Sequence, residues 1–277
     1  MRIVKHIYDF YINASIHVAL AVYALTLITI KQLNILHDKY LLCFIFFATI
    51  TGYNFVKYFG LAKFHHRSLA NWLRIIQVFS LICFILMCFY GFRLKRNTMI
   101  IVLLMTLITF FYATPFLPKK LFIDNKYNLR TVAGLKVYVI AFVWTVATVI
   151  LPIINNNYPL DFDLVTTAFQ RYLYIVVLIL PFDIRDLQYD SLKLATIPQK
   201  IGIRNTKLLG LLLLALFFLS EFFKDTLSIS QVIITVIITI ITGLFIVFCN
   251  EDRNRSYSAF WVEGLPIVWL GLVLIFG

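Results

Sequence analysis

Apolar residues in this chain come in long runs, separated by short breaks rich in Lys, Arg, Asn and Asp. A helix needs about 20 apolar residues to cross the hydrocarbon of a bilayer, and lipid offers no partner for open backbone. Each run therefore predicts a membrane-spanning helix. Nine are predicted, over 10–30, 40–60, 72–92, 98–117, 132–154, 164–182, 207–223, 229–249 and 259–277. The first follows "MRIVKH" and could be mistaken for a signal peptide, but no small-residue cleavage site precedes "IKQLN", so it counts as the first span. The breaks carry no Pro-, Gly- or Ser-rich linker, and residues 1–277 are expected to form one all-α polytopic membrane domain.

Composition agrees and removes the soluble classes: 61% of residues are hydrophobic, 17% aromatic and 14% charged, with a mean hydropathy of +0.89. A net charge of +12 could signal a nucleic-acid partner, but the cations lie in short breaks beside apolar runs, where membrane orientation explains them. With the N-terminus cytoplasmic, 15 Lys and Arg fall inside against 6 outside, four at run boundaries being left out. Half of the outside set is "RLKRN", against the trend. The expected location is an inner or plasma membrane, with no nucleic-acid partner. Cys43, Cys83, Cys88 and Cys249 lie within or at the ends of apolar runs and read as packing residues, not ligands.

Against this background "PFDIRDLQYD" stands out, because Asp183, Asp186 and Asp190 crowd the end of the sixth run in a chain with only 13 acidic residues. On a continuous helix, positions i, i+3 and i+7 share one face, with Arg185 nearly opposite. Three carboxylates so placed repel one another unless a cation joins them. Oxygen-only ligands suit Mg²⁺, which takes one or two carboxylates together with water and substrate phosphates. The bland alternative is a set of solvated acids at a helix end.

The stretch "DIRDLQYDSLKLATIPQKIGIRNTK" resembles the second aspartate-rich motif and following loop of the UbiA-type membrane prenyltransferases. "YATPFLPKK", from Tyr112 to Lys120, is similar to that family's tyrosine and proline segment, and "NLRTVAGLKVYVIAFVW" to the start of its fifth span. The resemblance implies nine helices around a central cavity open to lipid. It also implies Mg²⁺-dependent transfer of an isoprenoid chain from a polyprenyl diphosphate to an acceptor. Asp183, Asp186 and Asp190 would hold the metal, while Lys193, Lys200 and Arg204 would neutralise phosphate oxygens.

The first motif of that family, an Asn-Asp pair followed by two further aspartates, is degenerate here. In "TGYNFVKYFGLAKFHHR" Asn54 remains, but Phe55, Tyr58 and Ala62 stand where the acids would be. Two readings follow. Either Lys57, Lys63, His65, His66 and Arg67 hold the diphosphate as fixed cations beside a single Mg²⁺, or the protein keeps the fold and binds a prenyl lipid without turnover. A transporter is a third class, disfavoured because no internal repeat is visible and the acids cluster at a span end. Within the runs, Glu263 is expected to snorkel from near the start of the last span, and His17 to be a packing histidine. Tyr53, Tyr58 and Tyr112 offer aromatic faces to an allylic cation.

Overall fold

The computed structural model describes residues 2–58, 67–113, 134–188, 196–225 and 227–277. Among these residues the regular elements are all helical. They are α1 (Arg2–Asn13), α2 (Ile16–Gln32), α3 (Lys39–Tyr58), α4 (Arg67–Gly91), α5 (Arg96–Ala113), α6 (Leu135–Asn156), α7 (Phe162–Gln188), α8 (Ile197–Phe223), α9 (Ile229–Val247) and α10 (Tyr257–Phe276). The reason is the solvent, not side-chain propensity. The α9 sequence, "ISQVIITVIITIITGLFIV", is full of β-branched residues that favour strands in water, yet in lipid only a helix satisfies its own backbone.

Seven helices, α3, α4 and α6 to α10, are long and apolar enough to cross a membrane. The predicted fourth span corresponds to α5, whose described apolar part is shorter than the other seven. The predicted first span differs more: α1 and α2 meet at a bend of 57°. Polar positions explain the break, since α1 carries Lys5, His6, Asp9 and Asn13 along one side and could not lie in hydrocarbon as a continuation of α2.

Polar side chains fix the bend. Ser15 adopts a left-handed conformation, φ 63° and ψ 23°, which costs a non-glycine residue about 1 kcal/mol or more. Neighbouring elements hold it there. Ser15 Oγ donates to Asn54 Oδ1 at 2.8 Å, Asn54 Nδ2 donates to the Ala14 carbonyl at 3.1 Å and to Ser80 Oγ at 2.8 Å, and Tyr58 Oη donates to the Asn13 carbonyl at 2.9 Å. The start of α2 is thereby tied to the end of α3 and to α4.

α7 runs through the middle, packed on α6 and α8, with most of its side chains buried. Lipid tails are as apolar as Leu, so helix association here draws on close packing and interhelical hydrogen bonds more than on the hydrophobic effect. Arg171, 1% exposed in α7, is the largest such anchor: it donates to the Leu25 carbonyl at 2.9 Å and Thr29 Oγ1 at 3.0 Å and lies 5.2 Å from the Trp269 ring centroid. At the α7 start, Gln170 donates to Glu221 Oε2 at 2.8 Å, and Lys224 pairs with the same carboxylate at 2.9 Å. Asn155 joins three turns, donating to Asp38 at 2.7 Å and accepting from Thr98 Oγ1 at 3.0 Å and the Lys95 amide at 3.3 Å.

Two outcomes follow. Arg171→Leu removes both charge-assisted bonds, which at about 0.6 to 3 kcal/mol each in membranes and proteins should lower stability by at least about 1 kcal/mol; reversible unfolding in detergent measures it. Asn54→Leu should cost about 1–3 kcal/mol in the same assay, because it leaves buried partners unpaired at the bend. Wild-type midpoints for both would remove these anchors from the account.

Candidate functional site

Starting from the side chains, the end of the bundle that carries the α7 aspartates gathers charge from five elements. Asp183, fully buried, accepts from Lys136 of α6 at 3.0 Å. Asp186 follows in a 3-10 turn at the α7 end, past Pro181, and is gripped by Arg185: Nε donates to Oδ1 at 2.7 Å and a terminal nitrogen to Oδ2 at 2.9 Å. The remaining Arg185 nitrogen donates to Ser258 Oγ, in the turn leading into α10.

That turn is a π-helix, Tyr257–Val262, and the Glu263 amide closes it on the Ser258 carbonyl at 3.0 Å. Glu263 follows it, half-buried, with Lys57, Arg185 and Tyr53 within its electrostatic reach. Gly264 beside it permits the close approach of α2, since a β-carbon there would stand 3.2 Å from His17 Nε2. His17 is the packing histidine expected: Nε2 bonds the Phe260 carbonyl at 2.8 Å, and Nδ1 the Tyr11 hydroxyl at 2.7 Å.

On α3, Lys57 is exposed at this end and donates to Ser15 Oγ at 2.8 Å, its ammonium 5.8 Å from the Tyr53 ring. Tyr53 in turn accepts from Trp144 Nε1 at 2.9 Å. Tyr112 is buried at the end of α5 and interacts with Tyr53. Outward from Asp186, a cavity of about 620 Å³ is lined by Arg185, Asp186, Gln188, Glu251, Asp252, Arg253 and Arg255.

Several sequence expectations change. The aspartates were read as one helical face without a cation, but Asp186 lies beyond the α-helix and both described aspartates hold a basic partner. Arg185 does not point away; the 3-10 turn brings its neighbour's carboxylate round to it. Asn54 is buried at 2% exposure, with its amide bonded to Ser15, Ala14 and Ser80 at the bend. Lys200 and Arg204 are not in a loop. They stand exposed on α8 either side of Gly202, whose φ of 77° kinks the helix, and among the described residues no ion pair joins them to Asp183 or Asp186. Asp190, Lys63 and Lys193, and the side chain of Arg67, lie outside the described residues.

The end of α3, where the resemblance would place the first motif, is packed with aromatic rings. Phe55 stacks on Phe110 with centroids 6.3 Å apart, and Tyr58 meets Trp72 edge-on at 6.3 Å. Among the described residues no group of three His, Cys, Asp or Glu side chains could hold a metal ion. Of the three aspartates expected to hold Mg²⁺, Asp183 and Asp186 each have a basic partner in the protein, and Asp190 lies outside the described residues. Lys136, Glu263 and Arg255 were missed as site residues, although an isolated charge within an apolar run, as in "LKVYVIAFVW" and "FWVEGLPIVW", was the signal available for the first two.

No family model matches the chain, and no curated protein does. Among solved structures, it is similar to one described as giving insights into the biosynthesis of digeranylgeranylglyceryl phosphate synthase in membranes. The TM-score is 0.57 and the identity 16%, with 99% of this chain and 97% of that chain covered. The likeness establishes the fold: an all-helical membrane protein built, nearly end to end, on the architecture of that synthase.

Proposed function

We propose that the chain is a UbiA-like intramembrane prenyltransferase that moves an isoprenoid chain from a polyprenyl diphosphate to an acceptor, its aspartate end facing the cytoplasm. The observation that carries this reading is the end-to-end fold shared with a digeranylgeranylglyceryl phosphate synthase, on a sequence whose α7 end already resembles the family's second motif. In this reading Tyr53, Trp144 and Tyr112 line the path of the unsaturated chain, and their faces stabilise positive charge developing at the allylic carbon as the C–O bond to the diphosphate breaks. Lys57 and Lys136 supply fixed positive charge for the leaving diphosphate, which works best when pre-placed in a water-poor site. Lys193, Lys200 and Arg204 remain candidates for later contact with the phosphates. No step is assigned to Mg²⁺.

A second reading, a prenyl-lipid binder without turnover, is favoured by one observation: the ion pairs Lys136–Asp183 and Arg185–Asp186 leave the two aspartates structurally employed. A substitution pair separates the two. If Asp183 serves chiefly to neutralise Lys136, then Lys136→Met, which strands a buried carboxylate, should destabilise by about 3–5 kcal/mol, and adding Asp183→Asn should recover much of that loss. Denaturant unfolding of the single and double variants measures it.

Turnover is read as pyrophosphate released from geranylgeranyl diphosphate in the presence of a membrane-lipid extract. Lys57→Met should lower the rate by about 10²–10³, the scale of removing one preorganised electrostatic group. Retention of polyprenyl lipid through purification, with no pyrophosphate released from any extract, would sink the enzyme reading and leave the binder.

A further inference from the structure

The bend between α1 and α2 does more than change direction. Two of its residues, Asn13 and Ser15, supply the hydrogen-bond partners that hold two basic side chains from distant parts of the chain. Lys57 Nζ donates to Ser15 Oγ at 2.8 Å, and an Arg255 terminal nitrogen donates to Asn13 Oδ1 at 2.8 Å. Tyr58, between them, donates to the Asn13 carbonyl at 2.9 Å and is within electrostatic reach of Arg255. Lys57 and Arg255 are both exposed and close enough to feel each other's charge. Like charges are not held together on neutral partners, across a backbone kept in a left-handed strain, without something to offset the repulsion.

The surrounding charges narrow what that something is. Glu263 answers Lys57 in part, and Arg185 is matched by Asp186, so the corner stays net positive. Glu251 and Asp252 share the mouth cavity with Arg185, Arg253 and Arg255, which makes that rim mixed in sign and leaves the corner side as the place for an anion. Lys57 keeps two ammonium hydrogens beyond its bond to Ser15, and the Arg255 guanidinium keeps further N–H donors. A compact ligand with several acceptor oxygens and more than one negative charge satisfies both, and phosphate esters are that chemistry.

On the prenyl-diphosphate reading above, we infer that Lys57 and Arg255, presented by the Asn13–Ser15 corner, bind the diphosphate group directly and without a divalent metal. The corner stands where the resembling family's first acidic motif would be, and here fixed cations do the work that acids and metal ions would share. Tyr58 has its hydroxyl committed to the Asn13 carbonyl. Arg255 becomes a substrate-binding residue donated by the turn before α10.

The test uses the full-length protein in detergent with EDTA, with inorganic pyrophosphate and geranylgeranyl diphosphate as separate probes, followed by thermal shift and calorimetric titration. Both probes should raise the melting temperature in EDTA, and adding Mg²⁺ should not strengthen either. Lys57→Met and Arg255→Gln should each weaken both probes by about tenfold or more, while Lys57→Arg restores binding, which separates lost charge from a damaged fold. If binding appears only with Mg²⁺, this inference falls and the prenyl-diphosphate reading stands. If geranylgeranyl diphosphate binds and pyrophosphate does not, the isoprenoid chain carries the affinity and the corner is not a phosphate site. If neither binds with or without Mg²⁺, both readings fall.

Discussion

An ionised carboxylate sealed inside a helical bundle is costly unless a cation or hydrogen bonds reach it, and Asp183 with Lys136 is that constraint in this molecule. The pair crosses from α6 to α7 and fixes how these two helices meet at the end where the basic groups converge. It also sets what chemistry the aspartate can do. Among the described residues the charge of Asp183 is met by a fixed protein cation. The bidentate grip of Arg185 on Asp186 repeats the arrangement one turn later.

The bend at Ser15 is the second constraint, and it is linked to the first through Lys57, Glu263 and Arg185. Asn54 shows how a motif residue changes employment. In a chain that lacks the neighbouring acids, its amide is spent on Ser15, Ala14 and Ser80, holding three helices in register. Phe55 and Tyr58 pack their rings on Phe110 and Trp72, while the Tyr58 hydroxyl reaches the Asn13 carbonyl. Aromatic contacts and the flanking cation Lys57 thus occupy the end of α3.

Farther from that end, the bundle relies on polar anchors in lipid-free niches. Arg171 spends its donors on a carbonyl and a hydroxyl of α2 and lies against Trp269 of α10, so one residue of the central helix holds two others. Glu221 and Asn155 do the same work near the opposite end. These anchors leave the shape of the aspartate end to be set by its own charges.

The sequence by itself determined the class and the order of the helices. Apolar runs of span length have one solution in lipid, and all nine predicted runs correspond to helices, the first broken at Ser15 and the fourth short in its described part. It also placed the aspartates at the end of α7, since charge in an apolar chain collects where helices leave hydrocarbon. The pairing of those charges belonged to the tertiary structure alone. Helical periodicity relates a residue to neighbours three and four positions away, whereas Lys136 is 47 positions from Asp183 and Arg255 is 242 from Asn13. Whether an acid meets a cation across such distances depends on how helices cross, and a 57° bend or one π turn is enough to decide it.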